Sequence, residues 1–288
     1  MHSIALLTLA ALAAPPSPAA TPPDLRWIAL PSGVTLRYAE QGDPAGPTVV
    51  LLHGYTDSWR SWELLLPHLP TRIHVIAIDL RGHGASDRPG RYEIPHFAAD
   101  VTALLQALQL RDVTLVGHSL GSLVAREAAR QAAGRVGRLV LIGSAPSFRN
   151  PGTEELLEAI VAAGDSIPPE FVEGFQRSTI QRGVPEDFLA TMIEGSAAVP
   201  PAVWERVLRG QLDFRDQDRL GALRVPTMLM WGERDAIFSG RDQELLLAAI
   251  PGAHLVAYED VGHAPHWEVP RLVVADLLAF LGDEVERR

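Results

Sequence analysis

The 288-residue chain has no cysteine. That excludes disulfides, thiolate nucleophiles and cysteine-ligated metals, while leaving the compartment open, because exported proteins can do without disulfides. Positive charge is also scarce. Lys and Arg number 25 against 35 Asp and Glu, a formal net charge of −10. This balance disfavours nucleic acid, which calls for clustered Lys and Arg, and gives no reason to expect an anionic membrane surface as partner. No apolar run is long enough to span a bilayer; residues 4–14, interrupted only by Thr8, fall short. There is no His-x-x-x-His and no other His/carboxylate set with metal-ligand spacing, so neither a metal nor another cofactor is expected.

The short apolar run still carries information. It is followed by Pro15-Pro16-Ser17-Pro18-Ala19-Ala20-Thr21-Pro22-Pro23, small residues and prolines that cannot continue a helix. Residues 1–20 are expected to be a signal peptide cleaved near Ala20, residues 21–26 a linker, and the mature chain periplasmic or secreted. The run lacks the usual basic start, having only His2 and the α-amino group before it.

The remaining chain is 47% hydrophobic by overall composition and long enough to bury a large core. Strands are expected over 27–30 and 35–40, as a hairpin around Pro31-Ser32-Gly33, then over 48–52, 73–78, 113–116, 136–142, 227–231 and 255–258. Helices are expected over 59–66, 95–108, 120–133, 241–250 and 270–281. Most strands are apolar throughout and alternate with helices. The pattern is that of an α/β protein, a mostly parallel eight-stranded sheet with helices on both faces. Residues 27–146 and 221–288 form this core, and residues 147–220 form an inserted helical cap. The cap shows helical stretches broken at Pro168-Pro169, Gly183-Val184-Pro185 and Val199-Pro200-Pro201. Its large residues, Phe148, Phe171, Phe175, Phe188, Met192 and Trp204, are divided between a small core and a pocket wall in a way the pattern does not specify.

Sites in such sheets lie at the C-terminal ends of the strands, where His53, Asp79 and Ser119 all fall. Ser119 sits in Gly117-x-Ser119-x-Gly121, between an apolar strand and a helix. So sharp a turn forces the serine into a strained backbone conformation and lifts its hydroxyl above the sheet, with glycines giving room on either side. A serine hydroxyl needs a base, a carboxylate to hold that base in its tautomer, and donors for the developing oxyanion. Downstream the chain offers Asp235 after one strand and His263 after the next. Glu233 and His266 are the rivals for the two positions.

Five segments together resemble the α/β-hydrolase family over residues 27–281: His53-Gly54-Tyr55, Asp79-x-Arg81-Gly82-His83-Gly84-x-Ser86, Gly117-His118-Ser119-Leu120-Gly121, Trp231-Gly232-x-x-Asp235 and Gly262-His263. The resemblance implies a triad of Ser119, Asp235 and His263, an oxyanion hole from the backbone N–H groups of Tyr55 and Leu120, and structural roles for His53, Asp79, Arg81 and His83. A serine at the elbow disfavours the family's epoxide hydrolases and haloalkane dehalogenases, which use an Asp nucleophile. The expected reaction is hydrolysis of a carboxylic ester or lactone of a mostly apolar small molecule through an acyl-enzyme. C–C bond hydrolysis of a vinylogous diketone and cofactor-free perhydrolysis can run on the same residues. A ligand-binding or sensor protein on a hydrolase scaffold is the reading from another class, since fold does not fix function.

Overall fold

The computed structural model describes residues 22–132 and 134–282. The signal segment expected over 1–20 lies outside the described residues. Eight strands form one sheet in the order β1-β2-β4-β3-β5-β6-β7-β8. Their ranges are β1 Asp24–Ala29, β2 Thr35–Gln41, β3 Thr48–Leu52, β4 His74–Ile78, β5 Val113–His118, β6 Val136–Ile142, β7 Thr227–Gly232 and β8 His254–Tyr258. β1 pairs antiparallel with β2 and β2 antiparallel with β4, while every pairing from β4 through β8 is parallel. The linker expected over 21–26 therefore gives way to strand at Asp24. The backbone ladder runs past the apolar pattern to Asp24↔Glu40, where Arg26 also reaches Glu40 at 2.8 Å.

The parallel strands are buried on both faces, and their side chains alternate between two cores. In β3, Val50 and Leu52 join the cluster beneath α1 (Ile94–Ala107) and α2 (Leu120–Gln131), while Val49 and Leu51 join the cluster against α9 (Pro270–Leu281). β6 divides the same way, Leu139 and Leu141 against Val140 and Ile142. The helix expected over 59–66 is instead two short 3₁₀ turns, Trp59–Trp62 and Leu66–His68. The Trp59 N–H is taken by Asp79 Oδ1 at 2.8 Å, and Pro67 has no N–H to extend the first turn.

Between β6 and β7 lie α3 (Pro151–Ala163), α4 (Pro169–Ser178), α5 (Glu186–Ala197) and α6 (Pro201–Asp213), with no strand among them. Proline opens three of the four, at a position where the missing N–H has no intrahelical partner to lose. α7 (Gly240–Ala249) and the short α8 (Pro265–Glu268) follow β7 and β8. Two contacts fasten the inserted helices to the sheet layer. The Tyr55 hydroxyl donates to the Trp204 carbonyl at 2.5 Å. The buried Arg126 guanidinium of α2 bonds Asp216 at 3.0 Å and the Ala145 carbonyl at 2.9 Å.

Candidate active site

Ser119 stands between β5 and α2 at φ 49°, ψ −116°. This region is sparsely populated for a residue with a Cβ and costs on the order of 1–3 kcal/mol. The chain is held there by packing. A Cβ on Gly121 would stand 2.1 Å from the Leu52 carbonyl oxygen, and one on Gly117 would stand 2.2 Å from the Gly121 carbonyl oxygen. The Ser119 N–H also donates to the Ile142 carbonyl of β6 at 2.9 Å. Leu120 opens α2, so its N–H belongs to the first turn and has no acceptor within the helix.

Asp235 lies three residues past β7 and His263 five past β8. His263 Nδ1 meets Asp235 Oδ2 at 2.8 Å, and both side chains are almost wholly buried. Asp235 Oδ1 accepts the Ile237 and Phe238 N–H groups at 2.8 and 3.1 Å. With one carboxylate oxygen fixed by backbone and the other on the imidazole, Nδ1 of the neutral ring is the donor and Nε2 keeps the lone pair. That Nε2 is buried and has no hydrogen-bond partner among the described residues. The loop is held from the opposite side by the His263 N–H, which donates to the Thr179 carbonyl of the inserted helices at 2.9 Å. The rivals lie elsewhere. Glu233 is exposed, and His266 is buried against Trp62 and His118 with its Nε2 at 3.1 Å from Ser61 Oγ.

Ser119 and His263 face one narrow cavity, with Tyr55 on its wall. The large residues of the insertion are sorted here. Phe148 and Phe175 line the cavity, whereas Phe188 and Met192 pack with Ala264 and Trp267. Trp204 is buried edge-on to Tyr55 and Phe175, and Phe171 lies in an adjoining surface cleft that shares Leu156 and Phe175 with the cavity. The segment carrying Tyr55 is clamped from both layers. Thr56, at φ 64°, shares a hydrogen bond of 2.9 Å with Ser196 Oγ of α5, and Gln176 of α4 donates to both Ser196 (2.6 Å) and Asp57 (3.1 Å).

His53 Nδ1 bonds the Gly54 carbonyl at 2.7 Å, and its Nε2 accepts the Leu80 N–H at 3.0 Å. Asp79 accepts from Arg37, Trp59 and Ala85, and Arg81 forms a two-pronged pair with Asp100 at 2.6 Å on each arm. His83 Nδ1 bonds the Arg81 carbonyl at 2.9 Å. These four hold loops and do not touch the cavity. His118 Nε2 donates to the His263 carbonyl at 3.1 Å.

Asp57 is a cavity residue with little signal in the sequence. It is only 5% exposed, and burial pushes its carboxyl up to about 7, against the lowering effect of the Gln176 and Ser61 hydrogen bonds and of His263. Its signal in the sequence is no more than its place two residues after Tyr55. Gln176 and Gln211 also line the cavity and carry no sequence signal at all.

Comparison with known proteins agrees with this arrangement. Residues 47–270 match the sequence profile of the alpha/beta hydrolase fold. A non-heme haloperoxidase of Rhodococcus erythropolis is 32% identical over 277 residues, covering 88% of this chain and 98% of its own. The crystal structure of a bromoperoxidase from Bacillus anthracis superposes with a TM-score of 0.81 at 25% identity, over 90% of this chain and 100% of that one. An esterase from Rhodococcus sp. ECU1013 gives 0.79 at 25% identity, over 90% and 98%. A sheet order with one antiparallel end, a strained serine between β5 and α2, and a match over most of the length lead to one assignment: the chain belongs to the α/β-hydrolase family.

Proposed function

We propose that the chain hydrolyses carboxylic esters or lactones of mostly apolar small molecules through an acyl-enzyme on Ser119. The observation that carries this reading is the His263–Asp235 contact of 2.8 Å, which leaves a buried, unpartnered Nε2 in the same cavity as the strained serine. Ser119 Oγ attacks the ester carbonyl carbon while its proton passes to His263 Nε2. Negative charge gathers on the carbonyl oxygen, where the Tyr55 and Leu120 N–H groups receive it. The C–O bond breaks, the alkoxide leaves with the proton from His263, and the acyl group stays on Ser119. Water then gives a proton to the same nitrogen and attacks the acyl carbon; the acyl–Oγ bond breaks and the proton passes from Nε2 to Ser119 Oγ, releasing the acid and restoring both residues. Asp235 remains ionised throughout and holds Nδ1–H in place. The mostly apolar walls, Phe148, Leu156, Phe175, Leu208, Ile237 and Phe238 among them, favour an apolar acyl or ring group.

The haloperoxidase relatives favour a second reading on the same intermediate. Hydrogen peroxide in place of water would turn the acyl-enzyme into a peracid and free serine, with no change in the residues used. The test is a panel of p-nitrophenyl esters and simple lactones of increasing chain length, with and without hydrogen peroxide, on the parent and on Ser119→Ala. Hydrolysis lost in the variant supports the first reading, and Ser119-dependent peracid formation supports the second. Activity equal in both proteins overturns the role of Ser119.

A further inference from the structure

Most polar side chains on the cavity wall are already engaged by the protein. Asp57 accepts from Gln176 and Ser61, and Gln176 reaches both Asp57 and Ser196. Thr153 donates to the Phe148 carbonyl at 2.8 Å, and Thr179 to the Gln176 carbonyl at 2.8 Å. Ser119 Oγ and His263 Nε2 are unengaged and make no hydrogen bond to each other. His118 Nδ1 is unengaged too, but it is packed against Gly54, where an added Cβ would stand 2.7 Å from it.

Gln211 on α6 is the exception. It is 3% exposed, it lines the cavity between Leu208 and Leu212 of its own helix, and its amide makes no hydrogen bond among the described residues. Burying an amide with nothing bonded to it is unfavourable, and a leucine or methionine would fill the place without that penalty. Such a group in a ligand cavity is explained when the ligand completes it.

We propose that Gln211 is a specificity-determining residue that hydrogen-bonds a second oxygen of the substrate, so that the preferred ester carries a ketone, hydroxyl or ether oxygen in its apolar portion, away from the scissile bond. This rests on the ester-hydrolase reading for its chemistry, though not for its binding geometry. A purely hydrocarbon ester would leave the amide unmatched in the complex, and the oxygenated ester would not.

The test compares p-nitrophenyl valerate with levulinate, and hexanoate with its oxo- and methoxy-substituted counterparts, on the parent and on Gln211→Met. In the parent, at least one oxygenated ester should exceed its hydrocarbon match in kcat/KM by about tenfold, the size of one neutral hydrogen bond. In Gln211→Met that ratio should fall to near one. The unfolding temperature of the variant should equal or exceed the parent's, because no protein contact of the amide is removed; a merely structural glutamine would give a lower one. In parallel, the same acyl chains as N-phenyl amides are titrated calorimetrically into Ser119→Ala, with and without Gln211→Met. A Gln211-dependent binding preference with no ester turnover in the parent would sink the ester reading and keep the recognition role. Turnover with no preference for oxygenated chains, or a preference that survives Gln211→Met, overturns the proposal and leaves the ester reading standing.

Discussion

Acidification acts directly on the loop that carries Tyr55, through His53. The ring is completely buried, gives its Nδ1 proton to the Gly54 carbonyl and receives the Leu80 N–H on Nε2. A nitrogen accepting from an N–H has no place for a proton, so charging the ring breaks the link between the ends of β3 and β4. Burial accordingly lowers its pKa from 6.5 to about 4. Below pH 6.5 the unfolded chain takes up a proton that the folded chain refuses until about pH 4, so the stability His53 contributes is lost as pH falls through that window. Between pH 7 and pH 4.5 the loss is about 2–3 kcal/mol. Asp57 works the other way. Its carboxyl is raised from 3.8 to about 7, so the folded chain holds a proton there that the unfolded chain has lost. Over the same window it returns roughly 3 kcal/mol as pH falls. The parent's own pH profile thus sums opposing contributions and tests neither.

The difference between the parent and His53→Gln isolates one of them. Glutamine is uncharged throughout and too short of ring geometry to make both bonds, so at pH 7 the variant should be less stable by about 1 kcal/mol or more. Urea unfolding at pH 4.5 should find that gap narrowed by about 2–3 kcal/mol, enough to close or reverse it. An equal gap at the two pH values would refute the argument, because it would mean that His53 binds protons alike in the folded and unfolded chains.

Two further outcomes follow from the same geometry. Asp57→Asn removes a carboxyl whose ionisation costs stability as pH rises from 3.8 to about 7; relative to the parent, the variant should gain up to about 4 kcal/mol by pH 8 and little at pH 4. Urea unfolding across that range is the measurement, and parallel profiles would contradict it. Asp235→Asn should lower kcat on p-nitrophenyl esters by about 10⁴-fold, since an amide does not enforce the Nδ1–H tautomer. Its oxygen can still accept the Ile237 and Phe238 N–H groups, so the unfolding temperature should move little; a kcat loss under tenfold would remove Asp235 from the role proposed for it.

What was legible in the sequence is what local chemistry dictates. Val49 to Leu52 reads as a strand buried on both faces because every residue is apolar, and the glycines around Ser119 mark a turn that no side chain could enter. The prolines at 169 and 201 open helices where the insertion's pattern breaks. Other features depend on distant partners. Trp59 and Trp62 have helical spacing, yet the segment forms 3₁₀ turns, with Asp79 of the next strand end capping the Trp59 N–H. Order along the chain does not separate Asp235 from Glu233, since both fall between Ser119 and His263; the resemblance in Trp231-Gly232-x-x-Asp235 does, and the contact of Asp235 Oδ2 to His263 spans 28 residues. Asp57 looks like a solvated loop residue until Gln176, 119 residues later, closes over it. Gln211 differs from any helical glutamine only in the cavity it borders.

The inserted helices do more than roof the cavity. Their Thr179 carbonyl holds the His263 backbone, their Ser196 and Gln176 hold Thr56 and Asp57, and their Trp204 carbonyl holds the Tyr55 hydroxyl. Each contact falls within two residues of an atom proposed to act on the reacting carbonyl. The serine is held by close packing of the sheet and α2, which admits no side chain at 117 or 121. Leu120 shares that constraint, whereas the proposed base and the Tyr55 donor also take polar contacts made across the two layers. A substrate entering between the layers must therefore leave those contacts intact or restore them before the transition state. Substitutions in the insertion then belong with the chemistry as much as with binding, and their effects should appear in kcat and not in KM alone.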